Sequence, residues 1–182
     1  ANGRAGGHAA GRRSSGHGRG FAVSEGQVGT KVVVTGSVAA CAAVLAAAAA
    51  FIAPWEGREL KPYRDIVGVW TVCYGHTGNV QAREYSVADC DKLLQSDVAQ
   101  HLAGLDKCVK PDLTQGQWVA LGSWTFNVGV GAACGSTLVK QINAGQPPAV
   151  WCQQLLRWDR AGGKQVRGLT RRRQAEYQEC VK

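Results

Sequence analysis

Residues 32–53, VVVTGSVAACAAVLAAAAAFIA, run for 22 residues without one charge. This length is enough to cross a bilayer as a single helix. Basic residues Arg4, Arg12, Arg13, Arg19 and Lys31 precede it against the single acid Glu25, which predicts the N-terminus inside and the remainder outside. Ten of the 22 residues are Ala, and Gly and Ser occur as well. Such a helix has a small preference for lipid and makes a weak anchor. Two other readings stay open. The small residues of AAAAAFIAP suit cleavage of a signal peptide, and Ala has the highest helix propensity, which suits a buried core helix.

The segment divides the chain. Residues 1–31 are rich in Gly, Ser, Ala and Arg without apolar periodicity and are expected to be disordered. The chain contains no Met, so residue 1 is not expected to be a native start. Residues 54–182 carry the patterns of a globular unit. Net charge is +8, which favours an anionic partner such as a membrane surface, a nucleic acid or an acidic polymer. No nucleic-acid-binding module, phosphate loop or internal repeat is present.

There are seven cysteines: Cys41, Cys73, Cys90, Cys108, Cys134, Cys152 and Cys180. They form no CxxC pair, and the His residues do not fall at zinc spacings, so no metal site is expected. Scattered cysteines in a short chain point to disulfides and an oxidising compartment, with buried thiols as the alternative. Six lie after residue 53 and allow 15 connectivities. Cys41 is the odd one, inside the apolar segment.

The globular region reads as α+β. YRDIVGVWTVCYGHTG, with its β-branched and aromatic residues and Gly punctuation, predicts a short hairpin. Pro54 suits a first helical turn. Ser86 with Asp89 resembles a capping box that opens a helix through Leu93, Leu94, Val98, Leu102 and Leu105. Thr114 is placed to cap a helix carrying Trp118, Leu121, Trp124 and Thr125. Ser136 is expected to start a short helix ending near Gly145. Pro147 and Pro148 open another through Val150, Leu155 and Leu156, and Thr170 is placed to cap the last, ending near Cys180. Helical spacing puts Trp118, Trp124 and Trp151 in the core rather than on sugar platforms, while Trp55 and Trp70, flanking the two carboxyls, could be either. The run Arg171 to Arg173 reads as a solvated face that could also attract an anionic envelope, an effect salt would screen.

Two carboxyls flank the start of the hairpin. Glu56 ends or nearly ends a helix, while Asp65 and Thr71 fall on the hairpin. Cutting a glycosidic bond needs one protonated carboxyl for the leaving oxygen and one ionised carboxyl for the opposite face. Different environments must separate their proton affinities. The residues alone leave two solvated surface carboxylates as the ordinary alternative.

The order Glu56, Asp65, Thr71, Gly75-His76 resembles the phage-type lysozymes, glycoside hydrolase family 24. Further matches follow in order: Leu94-Gln95-Ser96-Asp97-Val98, Trp124-Thr125-Phe126-Asn127-Val128-Gly129, Ser136-Thr137-Leu138, Arg157-Trp158, Gly162-Gly163, Gly168-Leu169 and Arg171-Arg172-Arg173. The resemblance covers residues 54–182. It implies a two-lobed α+β lysozyme-like fold with a small β lobe and a mostly helical lobe, and a muramidase that hydrolyses the β-1,4 bond between N-acetylmuramic acid and N-acetylglucosamine in peptidoglycan during host lysis. Glu56 would be the general acid, with Asp65 and Thr71 holding the attacking water. Inversion implies carboxyls roughly 6.5–9.5 Å apart, retention about 5–5.5 Å. Cys73, beyond Thr71, is not expected to be a nucleophile. Thr77, Phe126 and Thr137 align with cleft positions that touch sugars, although Phe126 suits a core equally. His76 would be structural, paired with Asp97. No cofactor or metal is implied, nucleic acid is not a partner, and a monomer is expected.

Some members begin with a signal-arrest-release segment, which residues 32–53 resemble. That implies a single-pass, N-in state in the host inner membrane and later release to the periplasm. Glu56 lies three residues past Ala53, about 5 Å from the apolar boundary at helical rise. Tethering is therefore expected to keep the enzyme inactive, and release to let residues 32–53 repack against the domain. Once extracted, Cys41 could exchange with a domain disulfide as a redox switch. The rival functions are a lytic transglycosylase, which needs no water-activating carboxylate and is disfavoured by Asp65 and Thr71, and a non-enzymatic cationic membrane-active protein.

Overall fold

A computed structural model describes residues 42–182, and the backbone of Val33–Val34. The expected tail at 1–31, and Cys41 with its proposed exchange, lie outside the described residues. Within the apolar run the described residues hold a short strand, β1 (Val33–Val34), and a helix, α1 (Ala42–Ile52). Among the described residues no helix is long and apolar enough to cross a membrane.

The composition of α1 explains its place. Val44, Ala48, Ala49 and Ile52 are buried, while Ala42, Ala43, Ala46 and Ala50 are exposed. Ala at the contact lets backbones approach closely. Opposite it, Gly122 in α3 (Gln115–Val128) has no room for more. A Cβ there would lie 2.9 Å from Leu102 Cδ2 and 3.8 Å from Ala48 Cβ. Leu102 belongs to α2 (Val87–Asp106), so α1, α2 and α3 meet at one seam, where the small residues Ala48 and Gly122 make room for Leu102. The core extends back to Val44, into the segment the sequence sets apart from the globular unit.

A 3-10 turn, Ala53–Trp55, continues α1 with Pro54 near its start. The hairpin follows as β2 (Glu59–Arg64) and β3 (Trp70–Cys73), paired antiparallel with Tyr63 opposite Thr71. Ser86 opens α2 in a full capping box with Asp89. Next come β4 (Leu113–Thr114), antiparallel to β1, and α3, which Thr114 caps in a second box with Gln117. Short helices α4 (Val130–Gly135) and α5 (Thr137–Asn143) come next, and Ser136 caps the latter.

Two local expectations are corrected. The segment after Pro147 is one α turn, α6 (Pro148–Trp151), followed by a 3-10 stretch, Cys152–Arg157. Only Trp151, Cys152 and Leu155 turn inward there, and Val150 and Leu156 stay exposed. The hairpin of β5 (Arg160–Ala161) and β6 (Lys164–Gln165) then delivers the chain into α7 (Arg167–Cys180) three residues earlier than Thr170. The hydroxyl of Thr170 donates to Asp159 at 3.1 Å, tying α7 to the residue before β5 rather than capping it.

Trp124 is fully buried against the edge of Trp158, with ring centroids 5.3 Å apart. Trp118 and Trp151 are also in the core, whereas Trp70 is half exposed. The six cysteines after residue 53 pair as Cys73–Cys90, Cys108–Cys134 and Cys152–Cys180. The first ties the hairpin to α2, the second the turn after α2 to α4, and the third the 3-10 stretch to the end of α7.

Candidate active site

The rod of α1 fixes Glu56. Ile52 is fully buried at its end, and one further turn brings the chain to Glu56, which leaves the helical conformation at φ −104°, ψ 143°. Two hollows adjoin at its side chain. One, of about 500 Å³, is lined by Glu56, Tyr74, His76, Thr77, Asp97, Phe126 and others. The other, of about 570 Å³, runs between Glu56, Asn127 and the start of α7. Glu56 is the carboxyl common to both.

Asp65 shapes the tip of the hairpin. Its Oδ1 accepts from the backbone N–H of Val67 at 2.9 Å and of Val69 at 2.8 Å. This local cap closes the turn as short polar side chains do. Gly68, at φ 82°, supplies a left-handed conformation that a side chain would resist. Oδ2 of Asp65 makes no hydrogen bond among the described residues. Thr71 is buried on β3 and donates to the Val69 carbonyl at 3.1 Å. Asp65 and Thr71 stand outside the lining of both hollows.

Of the remaining sequence-derived residues, Thr77 and Phe126 line the first hollow with His76 and Asp97. His76 Nδ1 lies 2.9 Å from the Asp97 carboxylate, and its Nε2 faces the Gly78 carbonyl. His101, on the same helix as Asp97, packs its ring on Phe126 at 5.1 Å. Thr137 does not join them; it is exposed at the first turn of α5, outside the lining of this hollow.

The arginine run departs most from its sequence reading. Arg171 is exposed, but Arg172 is 4% exposed and Arg173 fully buried. Arg172 Nη1 donates to Glu56 Oε1 at 2.6 Å. Its Nη2 donates to the Ser123 carbonyl at 3.1 Å and its Nε to Glu176 Oε1 at 3.2 Å. Arg173 Nη2 donates to the same Glu176 oxygen at 3.0 Å and to Asn127 Oδ1 at 3.2 Å. Ser123 Oγ adds a third donor to that oxygen at 2.7 Å. Burial pushes the Glu176 carboxyl up, against the pull of Arg173, Ser123 and Arg172. Burial likewise lowers Arg173, to about 10, although Glu176 opposes it. The signal was in the spacing: Arg172 and Arg173 stand four and three residues before Glu176, on one face of α7. Ser123, the α3 partner of Arg172 and Glu176, carries no charge to advertise it. Among the described residues no cluster of His, Cys, Asp and Glu could hold a metal ion.

Comparison with known proteins follows this geometry. The family model described as phage lysozyme matches residues 53–176. The SAR-endolysin of Enterobacteria phage P21 is 43% identical over 128 residues, covering 69% of this chain and 77% of that one. The SAR-endolysin of Escherichia phage Mu is 46% identical over 122 residues, covering 66% and 71%. Among solved structures, the muramidase domain of SpmX from Asticaccaulis excentricus aligns with a TM-score of 0.69 at 27% identity, over 75% of this chain and 95% of that one. A P22 lysozyme aligns with a TM-score of 0.66 at 29% identity, over 74% and 95%.

Proposed function

The chain belongs to the phage lysozyme family and is a muramidase endolysin, a glycoside hydrolase of cell lysis; from that premise we propose that Glu56 is its general acid and that Asp65 and Thr71 hold the attacking water. The observation that carries this reading is the position of Glu56 at the junction of the two hollows, held from behind by Arg172. A glycan strand lying across the junction presents its glycosidic oxygen to that carboxyl. The Glu56 proton passes to the leaving oxygen as the bond to the anomeric carbon breaks. Water adds to that carbon from the opposite face and gives its proton to Asp65. The free Oδ2 suits that role, because Oδ1 is spent on closing the turn. Thr77 and Phe126 contact sugars in the first hollow, Thr137 is a more distant contact, and His76 with Asp97 supports the hollow's wall. The domain acts as a monomer.

Residues 32–53 anchor the newly made chain in the inner membrane, and the enzyme works in the periplasm after release. What supports the anchor is the uncharged length of residues 32–53 and the likeness to SAR-endolysins, and what supports the docked state after release is the burial of Val44, Ala48 and Ile52 in the core. A segment cannot be in the bilayer and in this core at once, so docking and tethering exclude each other. Placing a charge mid-segment, as in Ala43→Lys, is expected to impair tethering. Unchanged membrane fractionation and lysis timing in that variant would refute the anchor.

The catalytic assignment is tested by incubating the protein and its Glu56→Gln variant with Gram-negative peptidoglycan and weighing the soluble products. Reducing disaccharide-peptides from the wild type and none from the variant support it. Anhydro products would assign a lytic transglycosylase instead. Lysis that survives Glu56→Gln would assign a membrane-active protein.

A further inference from the structure

Behind the candidate acid, the structure buries more charge than holding one carboxylate requires. Arg172 alone reaches Glu56, and the Ser123 carbonyl already fixes its far nitrogen. Arg173 and Glu176 nevertheless lie fully buried one layer deeper, with side chains 0% exposed, their Nε and Oε2 2.9 Å apart. Burying such a pair is unfavourable unless something is gained from its charges. Its position suggests the gain.

The charges around Glu56 can be counted element by element. α1 brings none. α3 brings Ser123, Phe126 and Asn127, all neutral. α7 brings Arg171, exposed at the rim of one hollow, then Arg172, Arg173 and Glu176. Across the other hollow stand Tyr74, His76, Asp97 and His101. His76 is paired with Asp97, and Tyr74 is engaged by Arg58 and Asp91. On the 3-10 stretch packed against α7, Arg157 is exposed. Thus, among the described residues, the buried charges at the back of Glu56 are two arginines and one glutamate.

A general acid must hold a proton until the glycosidic oxygen takes it. Two uncompensated guanidinium groups at its back would drive that proton off, because nearby cations favour the carboxylate. With Glu176 ionised, the cluster behind Glu56 carries one net positive charge instead of two. Glu176 is built as an acceptor: its Oε1 takes donors from Ser123, Arg172 and Arg173.

We propose that Glu176 and Arg173 form a buried charge-balancing pair that sets the proton affinity of Glu56, with Glu176 acting as a positioning residue through Arg172. The proposal rests on the reading of Glu56 as general acid. It assigns the pair a role in the reaction although neither residue touches the sugar. Opposite substitutions should then act in opposite directions. Glu176→Gln leaves two arginines behind Glu56, and the alkaline limb of the activity profile moves to lower pH. Arg173→Gln leaves Arg172 balanced by Glu176 alone, and the limb moves to higher pH. A unit charge one side chain behind a carboxyl, in a medium of effective dielectric constant about 20, shifts its titration by on the order of one pH unit.

The experiment measures initial rates of reducing-sugar release from purified peptidoglycan between pH 4 and 9, at fixed ionic strength. It uses the wild type, Glu176→Gln, Arg173→Gln, the double Glu176→Gln/Arg173→Gln, and Glu176→Asp. The expected result is a downward shift of about one pH unit for the first variant and an upward one of similar size for the second. The double variant and the Asp variant return the limb to within a few tenths of the wild-type position. A purely structural role would lower the rate at every pH and move no limb. If Glu176→Gln yields no folded protein by circular dichroism, Arg173→Gln decides, since an unshifted or downward-moving limb there overturns the proposal. Glu56→Gln, assayed alongside, separates the two levels. An active Glu56→Gln protein sinks the general-acid reading itself, whereas an inactive one with unshifted limbs in the other variants sinks only the charge-balancing pair.

Discussion

Ile52→Ala tests whether the apolar segment belongs to the folded core. Ile52 is fully buried at the end of α1, four residues before Glu56. The substitution removes three carbons, about 2.4 kcal/mol at ~0.8 kcal/mol per methylene, and leaves a cavity that the seam cannot close. One turn earlier the same seam has no room for a Cβ at Gly122, which would lie 2.9 Å from Leu102 Cδ2. A total loss of about 3–4 kcal/mol is expected. With a urea dependence of about 2 kcal/mol/M, the unfolding midpoint falls by roughly 1.5–2 M. The control is Ala50→Ser, two residues earlier on the exposed side, which should stay within about 0.5 kcal/mol. Urea unfolding of the disulfide-intact protein, followed by tryptophan fluorescence and by circular dichroism, measures both. Were Ile52→Ala to cost less than about 1 kcal/mol, or no more than its control, α1 would not be seated as described and the argument from small-residue packing would fail.

Three further outcomes follow from single contacts. Replacing Cys152 and Cys180 together by Ser opens a link across 28 residues and should cost about 3–4 kcal/mol on the chain-entropy account, read as a lower thermal midpoint; no change would mean the bond adds nothing to the fold. Gly116→Ala would put a Cβ 2.7 Å from the Glu179 carbonyl oxygen, so crowding of about 1–3 kcal/mol should outweigh a helix-propensity gain of about 1 kcal/mol, and a stabilised variant in urea would contradict the α3–α7 contact. Asp89 is held at about 2 by the backbone N–H of Ser86, then by Arg83 and the Ser86 hydroxyl. A depressed carboxyl stabilises the fold fully above its ordinary value of 3.8, and the contribution is lost as pH falls through about 2. Asp89→Asn should flatten the acid dependence of stability over that window; identical acid profiles for the two proteins would refute the box.

What the sequence made legible was local. The caps at Ser86, Thr114 and Ser136 are each decided by a hydroxyl and an N–H three residues apart, and the chain between them leaves little freedom. The hairpin tip was legible for the same reason, since Asp65 and Gly68 close a turn of their own. The pairing of six cysteines was not, because only tertiary approach selects one of the 15 connectivities. Nor was the burial of Arg172 and Arg173. The partners of Arg172 lie 116 and 49 residues away at Glu56 and Ser123, Arg173 reaches Asn127 46 residues away, and a run of three arginines looks the same whether it meets water or a buried glutamate. Asp65 and Thr71 illustrate the converse limit: their order along the chain was plain, while their place relative to the hollows belongs to the fold.

The apolar segment shows why one composition could support three readings. A membrane, a peptidase and a protein core all accept Ala, but they ask different things of it. Lipid rewards apolar area, of which Ala offers little, whereas a helix seam rewards smallness, of which it offers most. Ala48 against Gly122 exploits smallness, and Ile52 and Val44 supply area at the ends of the same buried face. The docked state therefore gains from residues that add little to a membrane state. Glu56 sits at the end of the rod so formed, one turn beyond Ile52, and its contact with Arg172 requires the rod to be in place. Under the anchoring proposed above, seating the segment and assembling the site would be one event, so any substitution that favours lipid over the seam should withhold activity without touching a catalytic group.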